Sequence, residues 1–317
     1  MSRKIISIVI PVFNEESNIL LVYQKLLKIF NLLKKQYDYE LIFVDDGSSD
    51  KSSIVLENIA VQNNNVKYIE FSRNFGKEFA TSAGIQYSKG DAAIMVDADL
   101  QHPAELIPEF IKKWEDGADI VVGIRTKNKG EGLIKKVGSW GFYKMMNLMS
   151  DTKIIPQATD FRLIDKKVIV EFNRLTEKTR ITRGLIDWLG FKKEFIYFTA
   201  NERQNGKASY TNFKLAKLAL SAVISQSLFP LKLSGYLGIF IFFFSGILGL
   251  FIIIEKYILE DPLNMRFSGP AILAVIILFL VGIILSCLGL IALYIGNIQK
   301  EVSNRPMYIV RTKKNLD

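Results

Sequence analysis

The chain has 317 residues, 49% of them hydrophobic, and 41 Lys and Arg against 32 Asp and Glu give it a formal charge of +9. That length exceeds one average domain. The lone cysteine, Cys287, excludes an intrachain disulfide and any cysteine-rich metal site, so a reducing compartment is expected for the soluble part. The basic excess lies beside apolar segments, where anionic head groups and lipid phosphates are nearer partners than nucleic acid, and no nucleic-acid partner is expected.

Residues 1–17, MSRKIISIVIPVFNEES, begin basic, but their short apolar run meets Asn14-Glu15-Glu16 instead of a small-residue cleavage site, unlike a secretory signal. Residues 5–13, 40–46, 66–72, 92–99 and 119–125 are β-branched runs that predict strands, with amphipathic helical patterns between them. Strands alternating with helices predict an α/β domain on a mainly parallel sheet, whose ligands gather at the carboxyl ends of the strands. No internal repeat or low-complexity segment is present. A polar loop at Asn201–Tyr210 marks the expected domain boundary.

Beyond it, residues 212–230 mix lysines with apolar positions at helical spacing, which suits an interfacial helix or a plain linker helix. Residues 234–254 carry no charge over 21 positions, and residues 271–296 none over 26. Each is long enough to cross the roughly 30 Å hydrocarbon core, and neither has the polar stripe of a buried core helix. The expected division is a catalytic domain 1–210, a juxtamembrane helix 211–232, transmembrane helices 233–258 and 269–297, and a basic tail 298–317. Arg203–Leu233 holds five bases and no acid, whereas Glu255–Arg266 holds three acids and two bases. By the positive-inside rule both the large domain and the tail are cytoplasmic, on an inner or plasma membrane. Gly235, Gly238, Gly246 and Gly249 would let the hairpin pack against copies of itself, a possible homo-oligomer.

The fourth run leads into Asp97-Ala98-Asp99-Leu100-Gln101-His102-Pro103. Two carboxylates at i and i+2 past a buried strand form a hard oxygen site for Mg²⁺ or Mn²⁺, which would bridge a diphosphate; a solvated, helix-capping loop is the plain alternative. The first run ends Pro11-Val12-Phe13-Asn14-Glu15-Glu16 and the second Asp45-Asp46-Gly47-Ser48-Ser49-Asp50. Each reads singly as a helix cap, and together with Asp97 and Asp99 they favour a nucleotide crevice. His102, the only histidine, suits either a phosphate contact or a packed side chain. Trp114, Trp140 and Trp188 suit core or interface positions better than sugar platforms.

In chain order, VIPVFNEE, VDDGSSD, RNFGKEFA, DADLQHP, TDFRLID and RQNGKASY, followed by two apolar helices, resemble the GT-A, family-2 polyprenyl-phosphate glycosyltransferases over nearly the whole chain. Within that family the chain is similar to bacterial GtrB-type enzymes and to the dolichol-phosphate mannose synthase group. The resemblance implies a Rossmann-like GT-A domain followed by interfacial helices and a two-helix transmembrane hairpin. It also implies a hexosyltransferase that moves a sugar from a nucleotide-diphosphate sugar to a polyprenyl monophosphate with inversion. UDP-glucose is the favoured donor, and GDP-mannose the alternative.

By the same resemblance Pro11, Phe13, Glu15 and Asp46 hold the nucleoside, and Asp97, Asp99 and Gln101 surround the cation, with Asp99 the foremost ligand. Arg203 and Ser209 close over phosphates, and Asp160 stands near the acceptor. Arg125, Lys135, Lys136 and Arg162 are candidates for the acceptor phosphate, although Lys135 and Lys136 also suit a solvated helix face. A processive polysaccharide synthase would carry a Gln-x-x-Arg-Trp motif, which is missing. A non-catalytic membrane scaffold of the same fold is the alternative outside enzymes; intact Asp97, Asp99 and Arg203 argue against it.

Overall fold

The structure, a computed structural model, describes residues 3–126, 155, 157–178, 180–199, 254 and 269–316. By its contacts the chain divides into two units. One holds Met1–Leu148, Thr152–Ser209 and Arg305–Asp317; the other holds Met149–Asp151 and Tyr210–Asn304.

In the first unit the elements run β1 (Lys4–Val12), α1 (Glu16–Leu33), β2 (Tyr37–Asp45), α2 (Ser52–Gln62), β3 (Val66–Phe71), α3 (Lys77–Tyr87), β4 (Ala92–Met95), α4 (Ile107–Glu115), β5 (Ile120–Arg125), β6 (Ala158–Asp165), α5 (Lys166–Arg174), α6 (Thr182–Trp188), β7 (Lys193–Phe198) and, much later in the chain, β8 (Val310–Lys314). The eight strands form one sheet in the order β7-β5-β6-β4-β1-β2-β3-β8.

β1 is central and buried on both faces because both its registers are apolar. Ile6, Ile8 and Ile10 point to the layer built with α1, α2 and α4, and Val9 points to the layer of α3, α5 and α6. Each such fully buried side chain contributes about 1.5–3 kcal/mol. α3 lies close on its face because Gly84 has no Cβ; one there would fall 2.2 Å from Val9 Cγ1.

The five expected strands are present. The sheet is mixed, however: β1-β2, β1-β4, β2-β3 and β5-β7 pair in parallel, while β4-β6, β5-β6 and β3-β8 pair antiparallel. The antiparallel β6 matters for function, since it starts at the carboxyl end of its neighbours and places Asp160 there. Residues 310–314, expected as part of a basic tail, are the edge strand β8. Tyr308 stacks on Phe71 at 4.7 Å and Arg311 pairs with Glu70 at 2.9 Å. Asn315, in the left-handed conformation at φ 58°, donates its amide to the carbonyls of Ala60 and Val66.

In the second unit one helix, α7 (Gly269–Val302), runs for 34 residues. Counted over the described residues, no helix is long and apolar enough to cross a membrane. The expected helices at 211–232 and 233–258 lie outside the described residues, Ile254 excepted.

Candidate active site

The site is built where β4 ends. Val96 donates its N–H to Val9 O at 2.9 Å, and the chain then leaves the sheet as Asp97–His102. Leu100 is 5% exposed and left-handed at φ 64°, a conformation that bulky residues rarely adopt and that costs on the order of 1–3 kcal/mol. Two local bonds hold the strained loop. The Asp97 N–H donates to His102 Nδ1 at 3.1 Å, and the Gln101 N–H donates to Asp99 Oδ1 at 3.1 Å.

His102 is 9% exposed and stacks on Phe161 with centroids 5.0 Å apart. Burial pushes its pKa down, so the ring is neutral near pH 7. An accepting Nδ1 leaves the proton on Nε2, which faces Asp97 Oδ2 from 3.8 Å, too far for a direct hydrogen bond. Of the two roles open to it, the packed one fits: His102 shapes the loop.

Asp97 does not stand alone. Lys77, at the start of α3, places its Nζ 2.6 Å from Asp97 Oδ1 and 2.9 Å from Asp160 Oδ2. One half-exposed ammonium therefore joins the carboxylate expected at the donor to the one expected at the acceptor. Burial pushes the Asp160 carboxyl up, but Lys77, followed by Arg183 and Arg162, outweighs it and brings the pKa to about 2. Burial likewise works to lower the Lys77 pKa, and Asp97 and Asp160 raise it on balance.

At the ends of β1 and β2 two loops are fastened together. Asn14, left-handed at φ 55°, donates its N–H to Ser48 Oγ and accepts the Ser49 N–H on Oδ1. Asp46, 2% exposed, accepts the N–H groups of Phe75 and Gly76 at 2.7 and 2.8 Å, which ties the β2 end to the RNFG turn after β3. Between them Gly47 has φ 68°, and a Cβ there would sit 2.4 Å from the Arg73 carbonyl carbon. Of these residues Asp50 does cap, accepting the N–H groups of Ser52 and Glu16 at the starts of α2 and α1 at 3.0 and 3.2 Å, while Glu15 and Lys51 at the N-cap positions supply no side-chain cap. Along the same edge Pro11 and Glu15 are partly exposed and Phe13 is 46% exposed, an open apolar wall beside polar groups.

The residues expected at the acceptor phosphate divide. Arg125 is partly exposed at the end of β5. Arg162 is 1% exposed, and its guanidinium donates to the carbonyls of Thr159 and Arg183 and to Asp187 Oδ1. It faces inward under α6 because its β6 register belongs to the covered face of the sheet. Lys135, Lys136, Arg203 and Ser209 lie outside the described residues. Among the described residues no cluster of three or more His, Cys, Asp or Glu could hold a metal. Two carboxylates with a neighbouring amide do not make such a cluster, yet they suit Mg²⁺, which takes one or two carboxylates and completes its shell with substrate phosphates and water. Lys77 falls within the motif RNFGKEFA, but nothing in that motif marks its carboxylate partners, and Arg183 carries no local signal, since single basic residues usually mark solvated positions.

Residues 7–172, more than half of the chain, match the family described as Glycosyl transferase family 2. This chain belongs to that family. It is a glycosyltransferase with an α/β fold of the GT-A type. Over 306 residues it is 37% identical to the SfII prophage-derived bactoprenol glucosyl transferase of Shigella flexneri, covering 96% of this chain and 97% of that one. It is 41% identical to the uncharacterized glycosyltransferase YkcC of Bacillus subtilis (strain 168), covering 100% of this chain and 97% of that one. Among solved structures, glucosyl-3-phosphoglycerate synthase from Mycobacterium tuberculosis, in complex with Mn²⁺, UDP and glucosyl-3-phosphoglycerate, superposes with a TM-score of 0.47 at 17% identity, over 70% of this chain and 78% of that one.

Proposed function

We propose that this glycosyltransferase moves glucose from UDP-glucose to the phosphate of a polyprenyl lipid at the cytoplasmic face of a membrane. The observation that carries the proposal is likeness over nearly the full chain, helical part included, to bactoprenol glucosyl transferases. Asp97 and Asp160, joined by Lys77 at one end of the sheet, and Asp99 on the same loop as Asp97 support it. In this reading α7 is one of two membrane helices, and the basic flanks 203–233 and 300–314 stay on the cytoplasmic side.

The nucleoside lies at the ends of β1 and β2, against Pro11, Phe13, Glu15 and the turn that Asp46 fastens. Asp99 and Asp97, with Gln101, hold Mg²⁺ or Mn²⁺, and Arg203 and Ser209 close over the phosphates. The fit rests on the donor set and on the strained Leu100, which holds both carboxylates on one short loop. When bound, the cation neutralises charge growing on the leaving diphosphate.

Asp160, with a pKa of about 2, stays ionised at neutral pH and is a poor proton acceptor. A lipid phosphate, whose second pKa is about 6, needs no base to expose its attacking oxygen. Asp160 therefore acts by orientation, with Lys77 fixed between it and Asp97. Attack of the phosphate oxygen on the anomeric carbon, with departure of the nucleoside diphosphate, inverts that carbon in one step. The protein contributes positioning and electrostatics.

Labelled UDP-glucose and GDP-mannose incubated with enzyme-bearing membranes and polyprenyl phosphate, followed by lipid extraction, test the proposal. Label from UDP-glucose is expected in the lipid phase as an acid-labile sugar phosphate. Efficient transfer to a soluble sugar with none to the lipid would refute the acceptor, and label only from GDP-mannose would refute the donor.

A further inference from the structure

Asp160 has a second cationic neighbour. Glu78, next to Lys77 on α3, accepts the Thr182 N–H at 2.7 Å, and this bond fixes the start of α6 against the start of α3. Arg183 is thereby set beside Lys77, and both line a cavity with Asp160, Thr81 and Arg162. The cavity holds about 10 Å³, room for roughly one water, so a larger anion would rest outside it.

The commitments of the lining cations decide which of them can take such an anion. Lys77 is engaged by Asp97 and Asp160; Arg162 is engaged through Nε and Nη1 by Asp187 and two carbonyls, while its Nη2 is buried without a hydrogen-bond partner among the described residues. The Arg183 side chain is exposed and forms no hydrogen bond or ion pair among the described residues. It is still near enough to help hold down the Asp160 carboxyl. In the sheet order, β6 lies on one side of β4, and β1, β2 and β3, whose ends form the nucleoside edge, lie on the other. Arg183 is carried by α6 and shares its cavity with Asp160, the carboxylate expected at the acceptor, so an anion at Arg183 stands beside Asp160.

We propose that Arg183 binds the phosphate of the acceptor lipid, its planar fork offering two parallel N–H groups to phosphate oxygens beside Asp160. This rests on the function proposed above. The exposed Arg183 guanidinium offsets repulsion between the Asp160 carboxylate and an incoming phosphate dianion; Lys77 is already shared by two carboxylates, and Arg162 Nη2, though without a hydrogen-bond partner among the described residues, is buried.

The test compares full-length wild type, Arg183→Ala and Arg183→Lys in membranes, varying polyprenyl phosphate and UDP-glucose separately. Arg183→Ala should raise KM for the lipid by about ten-fold or more, the size of one lost charge-assisted hydrogen bond. Arg183→Lys should restore part of it, and KM for UDP-glucose and the melting temperature should stay at wild-type values. An unchanged lipid KM overturns the inference. A rise in the UDP-glucose KM instead places Arg183 on the donor diphosphate and overturns it too. A wild-type enzyme that makes no lipid product overturns the functional proposal itself, whereas an active wild type with an unaffected Arg183→Ala overturns only the role of Arg183.

Discussion

Lys77→Met keeps the stem of the side chain and removes the ammonium that joins Asp97 to Asp160. Holding the Asp160 carboxyl at about 2 instead of its ordinary 3.8 is worth on the order of 2 kcal/mol. The Lys77 side chain is 45% exposed and that of Asp160 33%, so solvent screening cuts the share of Lys77 to about 1 kcal/mol. The variant should therefore melt a few degrees lower at pH 7, about 2–4 °C for a domain of this size. The sign follows from the depressed pKa. The stabilisation is fully present above the unfolded value near 3.8, and it fades as pH falls through about 2, so the difference between variant and wild type should shrink below pH 4.

The same ammonium competes with a divalent cation for Asp97. Without it, Mn²⁺ should bind the donor-free enzyme more tightly, by roughly five-fold for about 1 kcal/mol, while sugar transfer falls because Asp160 loses its anchor. Titration of full-length protein in detergent, followed by the paramagnetic signal of free Mn²⁺, reads this directly. Weaker Mn²⁺ binding in Lys77→Met would refute the competition and make the lysine a support of the cation site instead.

Two further outcomes are expected. Asp99→Asn should remove most activity while leaving the melting temperature near wild type, and excess chelator should silence the wild type; full activity in chelator would sink the metal assignment. Gly47→Ala should destabilise by about 2 kcal/mol or more, because φ 68° disfavours a side chain and the new Cβ meets the Arg73 backbone at 2.4 Å; a denaturant midpoint equal to wild type would contradict this.

The central strands were legible because residues 8–12 and 41–44 are apolar on both faces, a pattern that only a doubly covered strand needs. β6 was visible only as the motif TDFRLID, and its antiparallel direction has no sequence signature. β8, VRTKK, looked like a basic tail because edge strands face solvent along one side and tolerate charge. In the site, Asp97, Asp99 and Asp160 stood out as acids in a recurring order. The lysine that couples two of them lies within the motif RNFGKEFA, but the coupling itself did not show, since its partners lie 20 and 83 residues away in sequence. Arg162 was the opposite case: a charged residue in a functional motif suggested a ligand contact, and its burial under α6 turns Nε and Nη1 to Asp187 and two carbonyls and leaves Nη2 buried without a hydrogen-bond partner among the described residues.

The pairing of Phe71 with Val310 also sets an order of events during synthesis. β3 is made early, but the strand that covers its edge is translated only after the whole helical stretch ending at Val302. Until then the nascent sheet exposes a row of unpaired backbone groups, an invitation to pair with another chain. Docking of β8 is thus among the final steps of assembly, and the catalytic sheet is complete only once the helix before it has been made.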